Sequence, residues 1–172
     1  MFLHGCDAER FKDYYRGVLG ELGATESSII DDDPQRLIVW LVADDIVGHA
    51  IWHPSNTMTH PSGEPREPED RRILKHDLGV SDDFVELHEV WLREDSRGRG
   101  YGSEFFEYFE SMVKRLRYRY IVYYADHPTA LAICRARGYR ESYGVELDGV
   151  NRERGLFYVL AKDLSVETGS KT

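Results

Sequence analysis

The chain of 172 residues carries 41% hydrophobic and 31% charged residues with two cysteines, which suits one globular domain and excludes a disordered, fibrous or disulfide-scaffolded chain. A formal net charge of −9 sets the surface against nucleic acid and anionic lipid and in favour of cations, an amine among them, although the same charge also serves solubility. The longest apolar stretches, such as Leu37 to Ala43, are strand-sized, and Met1 to Cys6 lacks the charged start and apolar run of a signal peptide; no membrane partner and a cytoplasmic location are therefore expected, with Cys6 and Cys134 as free thiols.

In chain order, Phe11, Tyr14, Tyr15, Val18, Leu19 and Leu22 fall on one helical stripe, with Asp7 placed to cap its start and Gly23 its end. After Asp31-Asp32-Asp33-Pro34, the runs Arg36 to Ala43 and Ile46 to His53 flank Asp44-Asp45 and read as an antiparallel hairpin. Residues 54–83 break the pattern with prolines and charges; they read as an insertion holding a short helix from Pro68 to Leu78 that Gly79 stops. Phe84 to Leu92 predicts a strand, Ser103 to Arg117 a helix with the stripe Phe105, Phe106, Phe109, Met112, Val113 and Leu116, and Tyr118 to Ala125 a second strand. A short helix follows from Pro128 to Arg137, stopped by Gly138, and two strands, around Tyr139 to Leu147 and Gly155 to Lys162, close the chain through Asp148-Gly149. Strand, helix, strand between residues 84 and 125 is a crossover with parallel strands, flanked by hairpins, so the sheet should be mixed.

The segment Arg97-Gly98-Arg99-Gly100-Tyr101-Gly102-Ser103 lies between a strand and a helix N-terminus, where backbone N–H groups lack intrahelical partners and the helix dipole favours an anion. Glycines let the backbone approach a phosphate closely and Arg97 and Arg99 add cationic side chains, so a pyrophosphate is the natural guest. The spacing of the glycines does not fit the dinucleotide fingerprint, and no GK[ST] exists for a P-loop. A turn made only to reverse the chain is the plain structural alternative.

These residues resemble the signature of the GCN5-related N-acetyltransferase (GNAT) family: Arg or Gln, two residues, Gly, one residue, then Gly or Ala, after a strand and opening a helix. Arg97, Gly100 and Gly102 match it position by position. Val90-Trp91-Leu92 stands where the family's strand splays from its parallel neighbour and its backbone hydrogen-bonds the pantetheine arm. The run His127-Pro128-Thr129-Ala130 through Cys134 to Gly138-Tyr139 is similar to the family's second signature, Asn-x-x-Ala, then a Tyr, then Gly-Phe or Gly-Tyr. The resemblance covers residues 84–164; before them only the order of helix and hairpin agrees. It implies an α/β (α+β) fold with a mixed, mostly antiparallel sheet of about six to seven strands around a central parallel pair, flanked by about four helices. It also implies acetyl-CoA as co-substrate, held by Val90, Trp91, Leu92, the turn from Arg97 through Gly98, Arg99, Gly100, Tyr101 and Gly102 to Ser103, and His127. One domain over residues 1–165, with 166–172 as a tail, is the expected organisation.

Two positions depart from the family. His127 replaces the usual Asn, and Cys134 stands where many members carry a tyrosine that protonates the departing CoA thiolate. Cys134 could donate a proton, or it could be a small core residue. For the proton that an alkylammonium must lose before it attacks a thioester, Glu86 and His88 share a strand face with Val90 and Leu92. Glu86 falls where the histone-acetylating branch has its basic glutamate, and the pair falls where the arylalkylamine branch has two histidines; a solvated polar pair is the alternative. Glu89 points to the other face. His49, His53, His60 and His76 show no metal-ligand spacing and read as surface or hairpin positions.

The expected reaction is direct acetyl transfer to a primary amine, of a small molecule or of a protein, in a ternary complex. A non-catalytic acyl-CoA-binding module and an RNA-directed acetyltransferase are the alternatives, the latter suggested by Lys114 to Tyr120 and opposed by the net charge. The acceptor cleft is expected from residues 7–35 and 54–83, which carry no motif, and a homodimer is a family-level expectation.

Overall fold

A computed structural model describes residues 1–5, 7–60, 63–142 and 158–166; Cys6, the Asp148-Gly149 joint and residues 167–172 lie outside the described residues. The strands are β1 (Phe2–His4), β2 (Leu37–Val42), β3 (Asp45–Ser55), β4 (Phe84–Leu92), β5 (Tyr120–Ala125), β6 (Arg140–Ser142) and β7 (Tyr158–Asp163). The helices among the described residues are α1 (Ala8–Val18), α2 (Ala24–Asp32), α3 (Pro68–Arg72), α4 (Tyr101–Arg115) and α5 (Pro128–Ala136). One sheet carries all seven strands in the order β1-β2-β3-β4-β5-β7-β6, with β4 and β5 as its parallel pair. No helix among the described residues is long and apolar enough to cross a membrane. The chain divides into two compact units, Met1–His53 with Leu87–Tyr101, and Pro54–Glu86 with Gly102–Thr172.

In the first unit the Asp7 carboxylate accepts from Arg10 N–H at 2.8 Å and starts α1, which satisfies one of the donors every helix leaves open. Helix α1 ends at Val18 rather than running to Gly23, and a second helix, α2, begins at Ala24. Its sequence ATESSIIDD has no repeating apolar stripe, which is why periodicity does not reveal it. Phe11, Tyr15 and Ile29 from the two helices pack on Leu37, Val39, Leu41, Ile46 and Ile51 of the hairpin. The hairpin turn places Ala43 and Asp44 at φ 48° and 68°, the left-handed pair that matches the twist of the flanking strands. Strand β1, three residues long and too short to read from sequence, pairs antiparallel with β2.

In the second unit the segment expected to be an insertion supplies core. Helix α3 passes at Ile73 into a π-helical turn that ends at Asp77, and Gly79 follows at φ 66°. Ile73, Leu74, Leu78 and Val80 are buried with Phe84, Tyr120, Val122, Val159 and Ala161. Helix α4 buries Phe105, Phe106, Phe109, Met112 and Val113, the expected stripe without Leu116, which is exposed beyond the helix end. Strand β7 pairs antiparallel with both β5 and β6.

Candidate active site

Strand β4 leads into a short 3-10 turn over Glu94–Ser96 and then into the glycine turn that opens α4. Gly98 and Gly100 sit at φ 74° and 86°, a conformation that costs any residue with a Cβ about 1–2 kcal/mol. A Cβ built on either would meet nothing within 4 Å, so these glycines are not there to avoid a neighbour in the protein. Gly102 differs: a Cβ there would come within 2.9 Å of Ile133 Cδ1, the movable tip of a side chain on α5. Ala is thus tolerable at 102 and a larger residue is not. Arg97 turns back along the chain, with Nε donating to the Leu92 carbonyl at 2.9 Å and its guanidinium over the Trp91 ring at 5.0 Å. Val90, Trp91 and Leu92 are half-buried. Gly48 on β3 permits their position, because a Cβ there would lie 2.7 Å from the Trp91 carbonyl oxygen and 3.0 Å from the Trp40 ring.

The carboxylate of Glu86 is buried, at 4% exposure, rather than solvated. It accepts from the Arg66 guanidinium at 2.7 Å. The same guanidinium donates to Asp70 at 2.9 Å, the Tyr124 hydroxyl at 3.0 Å, the Ser55 hydroxyl at 2.8 Å and the Asn56 carbonyl at 2.8 Å. The Tyr124 hydroxyl in turn donates to Asp70 at 2.8 Å. Burial disfavours the cation, but Tyr124, Glu86 and Asp70 outweigh it and hold Arg66 protonated. Burial first, then the neighbouring carboxylates against the help of Arg66, raises the Tyr124 phenol well above its ordinary value, so it serves as a donor. One guanidinium between two carboxylates leaves this cluster one formal negative charge in excess.

In the first unit His88 is half-buried, with Nε2 2.8 Å from Glu26 Oε1 on α2 and its ring 5.7 Å from that of His53. Glu89, on the opposite face of β4, joins a separate chain of polar groups: its oxygens meet His49 Nε2 at 2.7 Å and the Tyr15 hydroxyl at 3.0 Å, while His49 Nδ1 lies 3.3 Å from the Tyr14 hydroxyl. Both phenols are raised above their ordinary value, chiefly by burial. His49 and His53 are buried, at 0% and 3%, on the hairpin strand β3, the second of the two placements the sequence allowed. The Glu89 chain ties α1 to β3 and β4.

The two departures from the family have structural occupations. His127 caps α5, its Nδ1 accepting from Thr129 N–H at 3.2 Å, as an Asn or Asp does at a helix start. Cys134 is fully buried, and burial, then Glu110, pushes its thiol up to about 12 against the pull of Lys162 and Arg137. Of the basic-aromatic stretch, Arg119 is bidentate to Asp163 and stacks on Tyr120. A cavity of about 700 Å³ in the second unit, lined by residues such as Asn56, Asp82, Arg117 and Arg119, includes none of the motif residues.

Sequence reasoning missed Arg66, Asp70 and Glu26. Arg66 and Asp70 stand at i and i+4 just before and inside a proline-started helix, a pattern that could have marked them as an ion pair but not as partners of Glu86. Glu26 carried a weaker signal, an acid three residues after the glycine that begins a helix.

The model of the acetyltransferase (GNAT) family matches residues 6–142, and the chain belongs to that family. No curated protein matches the sequence. Among solved structures, a polyamine N-acetyltransferase of Drosophila melanogaster superposes with a TM-score of 0.68 at 11% identity, covering 95% of this chain and 100% of that one. An agmatine N-acetyltransferase gives 0.67 at 12% identity, covering 95% and 98%. Naa50 of Arabidopsis thaliana, solved with a bisubstrate analogue CoA-Ac-MVNAL, gives 0.67 at 12% identity, covering 95% and 97%. At such identities the likeness is one of fold.

Proposed function

We propose that this chain is a cytoplasmic N-acetyltransferase that passes the acetyl group of acetyl-CoA directly to a primary amine. The observation that carries the reading is the turn at 97–103. Two glycines in left-handed conformation, each with open space where a Cβ would stand, precede a helix N-terminus, an arrangement that leaves the backbone open to close approach of a pyrophosphate. Backbone groups of residues 90–92 orient the thioester, and Arg97, Arg99, Tyr101 and Ser103 border the phosphates. Glu86 and His88, two residues apart on β4, handle the amine and its proton. The negative excess around Glu86 suits a substrate that arrives as an ammonium ion. The amines named for the structural neighbours, agmatine and polyamine, make small cationic amines the first substrates to try, with peptide N-termini next.

Cys134 has a packing role in this reading. A thiol held near 12 is a weaker acid than an ordinary thiol of pKa about 8.5, so giving a proton to CoA thiolate would run uphill. Calorimetric titration of acetyl-CoA into wild type and Gly100→Glu tests the reading. The glutamate adds backbone strain and a negative charge where the phosphates sit, and binding should fall below detection while the protein melts cooperatively. Unchanged affinity for acetyl-CoA in that variant overturns the assignment of the turn.

A further inference from the structure

We infer that His53, Glu86 and His88 form a site for a divalent transition-metal ion of the zinc kind, and that the bound ion inhibits acetyl transfer by occupying groups assigned above to the amine. Only the inhibition rests on the acetyltransferase reading; the site stands on its own geometry. His53 lies on β3, and Glu86 and His88 lie two residues apart on the neighbouring strand β4. One ligand atom from each, two imidazole nitrogens and a carboxylate oxygen, lie within 4.8 Å of one another. No spacing along the chain marks this set, because the two strands meet only in the sheet.

Zinc ligands stand about 2.0–2.2 Å from the ion, so two of them in a tetrahedral site are roughly 3.3 Å apart. The three atoms therefore need to close by about 1.5 Å at most, a movement that side-chain torsions supply while the strands stay in place. Two imidazoles and one carboxylate suit Zn²⁺ or Co²⁺ better than Mg²⁺ or Ca²⁺, which take oxygen ligands. Three protein ligands leave a fourth position open to water.

The groups around the triad are those that orient metal ligands. Glu26 Oε1 lies 2.8 Å from His88 Nε2, and a carboxylate accepts, so Nε2 carries the proton and Nδ1 is the nitrogen to ligate. Arg66 donates to Glu86 Oε2 at 2.7 Å and fixes that carboxylate in the same way. The Arg66 charge is balanced by Asp70 at 2.9 Å, which leaves the negative charges of Glu86 and Glu26 for a divalent cation. His53 and Glu86 are buried and His88 is half-buried, so little water competes for the ligand atoms. Each of the three makes further contacts within the protein, which the ion must displace, so binding is a competition that a chelator can reverse.

The test uses untagged full-length protein stripped with a chelator. Calorimetric titration with Zn²⁺ should show one site, and Co²⁺ should give a visible absorption band without the charge-transfer band of a thiolate ligand, which separates this site from the cysteines. His53→Gln and His88→Gln remove a ligand, and Glu26→Gln removes only the anion behind His88; each should weaken Zn²⁺ at least about tenfold. Melting curves show which variants fold, and because His88 and Glu26 are half-buried, their variants carry the test should His53→Gln unfold. Absence of stoichiometric Zn²⁺ binding, or a site of equal affinity in wild type, His88→Gln and Glu26→Gln, overturns the metal site. In the kinetic arm, saturating Zn²⁺ should lower the wild-type rate at least about tenfold and chelator should restore it, with half-inhibition in Glu26→Gln shifted to higher Zn²⁺ by the factor that binding loses. A zinc-saturated enzyme that runs at the full rate overturns the inhibition. A wild type that acetylates no amine in the absence of metal refutes the acetyltransferase reading instead, and the binding arm still decides the site.

Discussion

Replacing Arg66 by Met tests whether the buried cluster around Glu86 is built as described. The side chain is about 1% exposed and makes five hydrogen bonds, to Asn56, Asp70, Tyr124, Ser55 and Glu86. Methionine fills most of the volume and makes none of them, leaving the carboxylates of Asp70 and Glu86, 2% and 4% exposed, without their cation. Removing one partner of a buried ion pair costs about 3–5 kcal/mol, because the remaining charge keeps its desolvation penalty and loses its compensation. Against a total stability of about 5–15 kcal/mol this is a large fraction, and for a chain of this size a loss of about 4 kcal/mol lowers Tm by roughly 8–16 °C. Calorimetry on the single variant and on the triple variant Arg66→Met, Asp70→Asn, Glu86→Gln reads the cause as well as the size. If uncompensated charge is the cost, neutralising the carboxylates should recover half of the loss or more. A single variant that melts within about a degree of wild type, or a triple variant no more stable than the single one, refutes the reasoning.

Cys134→Ala should cost about 1 kcal/mol in chemical denaturation and leave the single-turnover rate of acetyl transfer near wild type, because the buried thiol packs and does not donate; a slowed transfer in a normally melting protein reverses that assignment. Glu110 receives Arg137 at 2.8 and 2.9 Å and Lys162 at 2.7 Å. Burial raises its pKa, and these two cations outweigh burial and bring it below the ordinary value of 4.5. A carboxylate depressed in the folded state contributes stability that is present above its ordinary value and is lost as pH falls through the folded value. Glu110→Gln should therefore lower stability at pH 7 by about 2 kcal/mol and make the fall in stability below about pH 4.5 shallower, as followed by urea melts between pH 6 and 3; parallel acid limbs in the two proteins exclude Glu110 from that loss.

The sequence by itself determined the parts that local rules govern. The bounds of β4 at Phe84–Leu92, the stripe of α4, the stop at Gly79 and the cap at Asp7 follow from alternation, helical period and the chemistry of chain ends, each legible within a dozen residues. The glycine turn was equally legible, since it lies in one continuous run between a strand and a helix. Tertiary structure alone decided which polar groups meet. Glu86 reads the same whether it faces water or a guanidinium, and its partner Arg66 lies 20 residues away in a proline-broken segment with no period. His88 finds Glu26 across 62 residues, on a helix without an apolar stripe. A buried charge must be paired, so the fold had to supply these partners, but the requirement is met in space and leaves no spacing in the chain by which to choose among many acids and arginines.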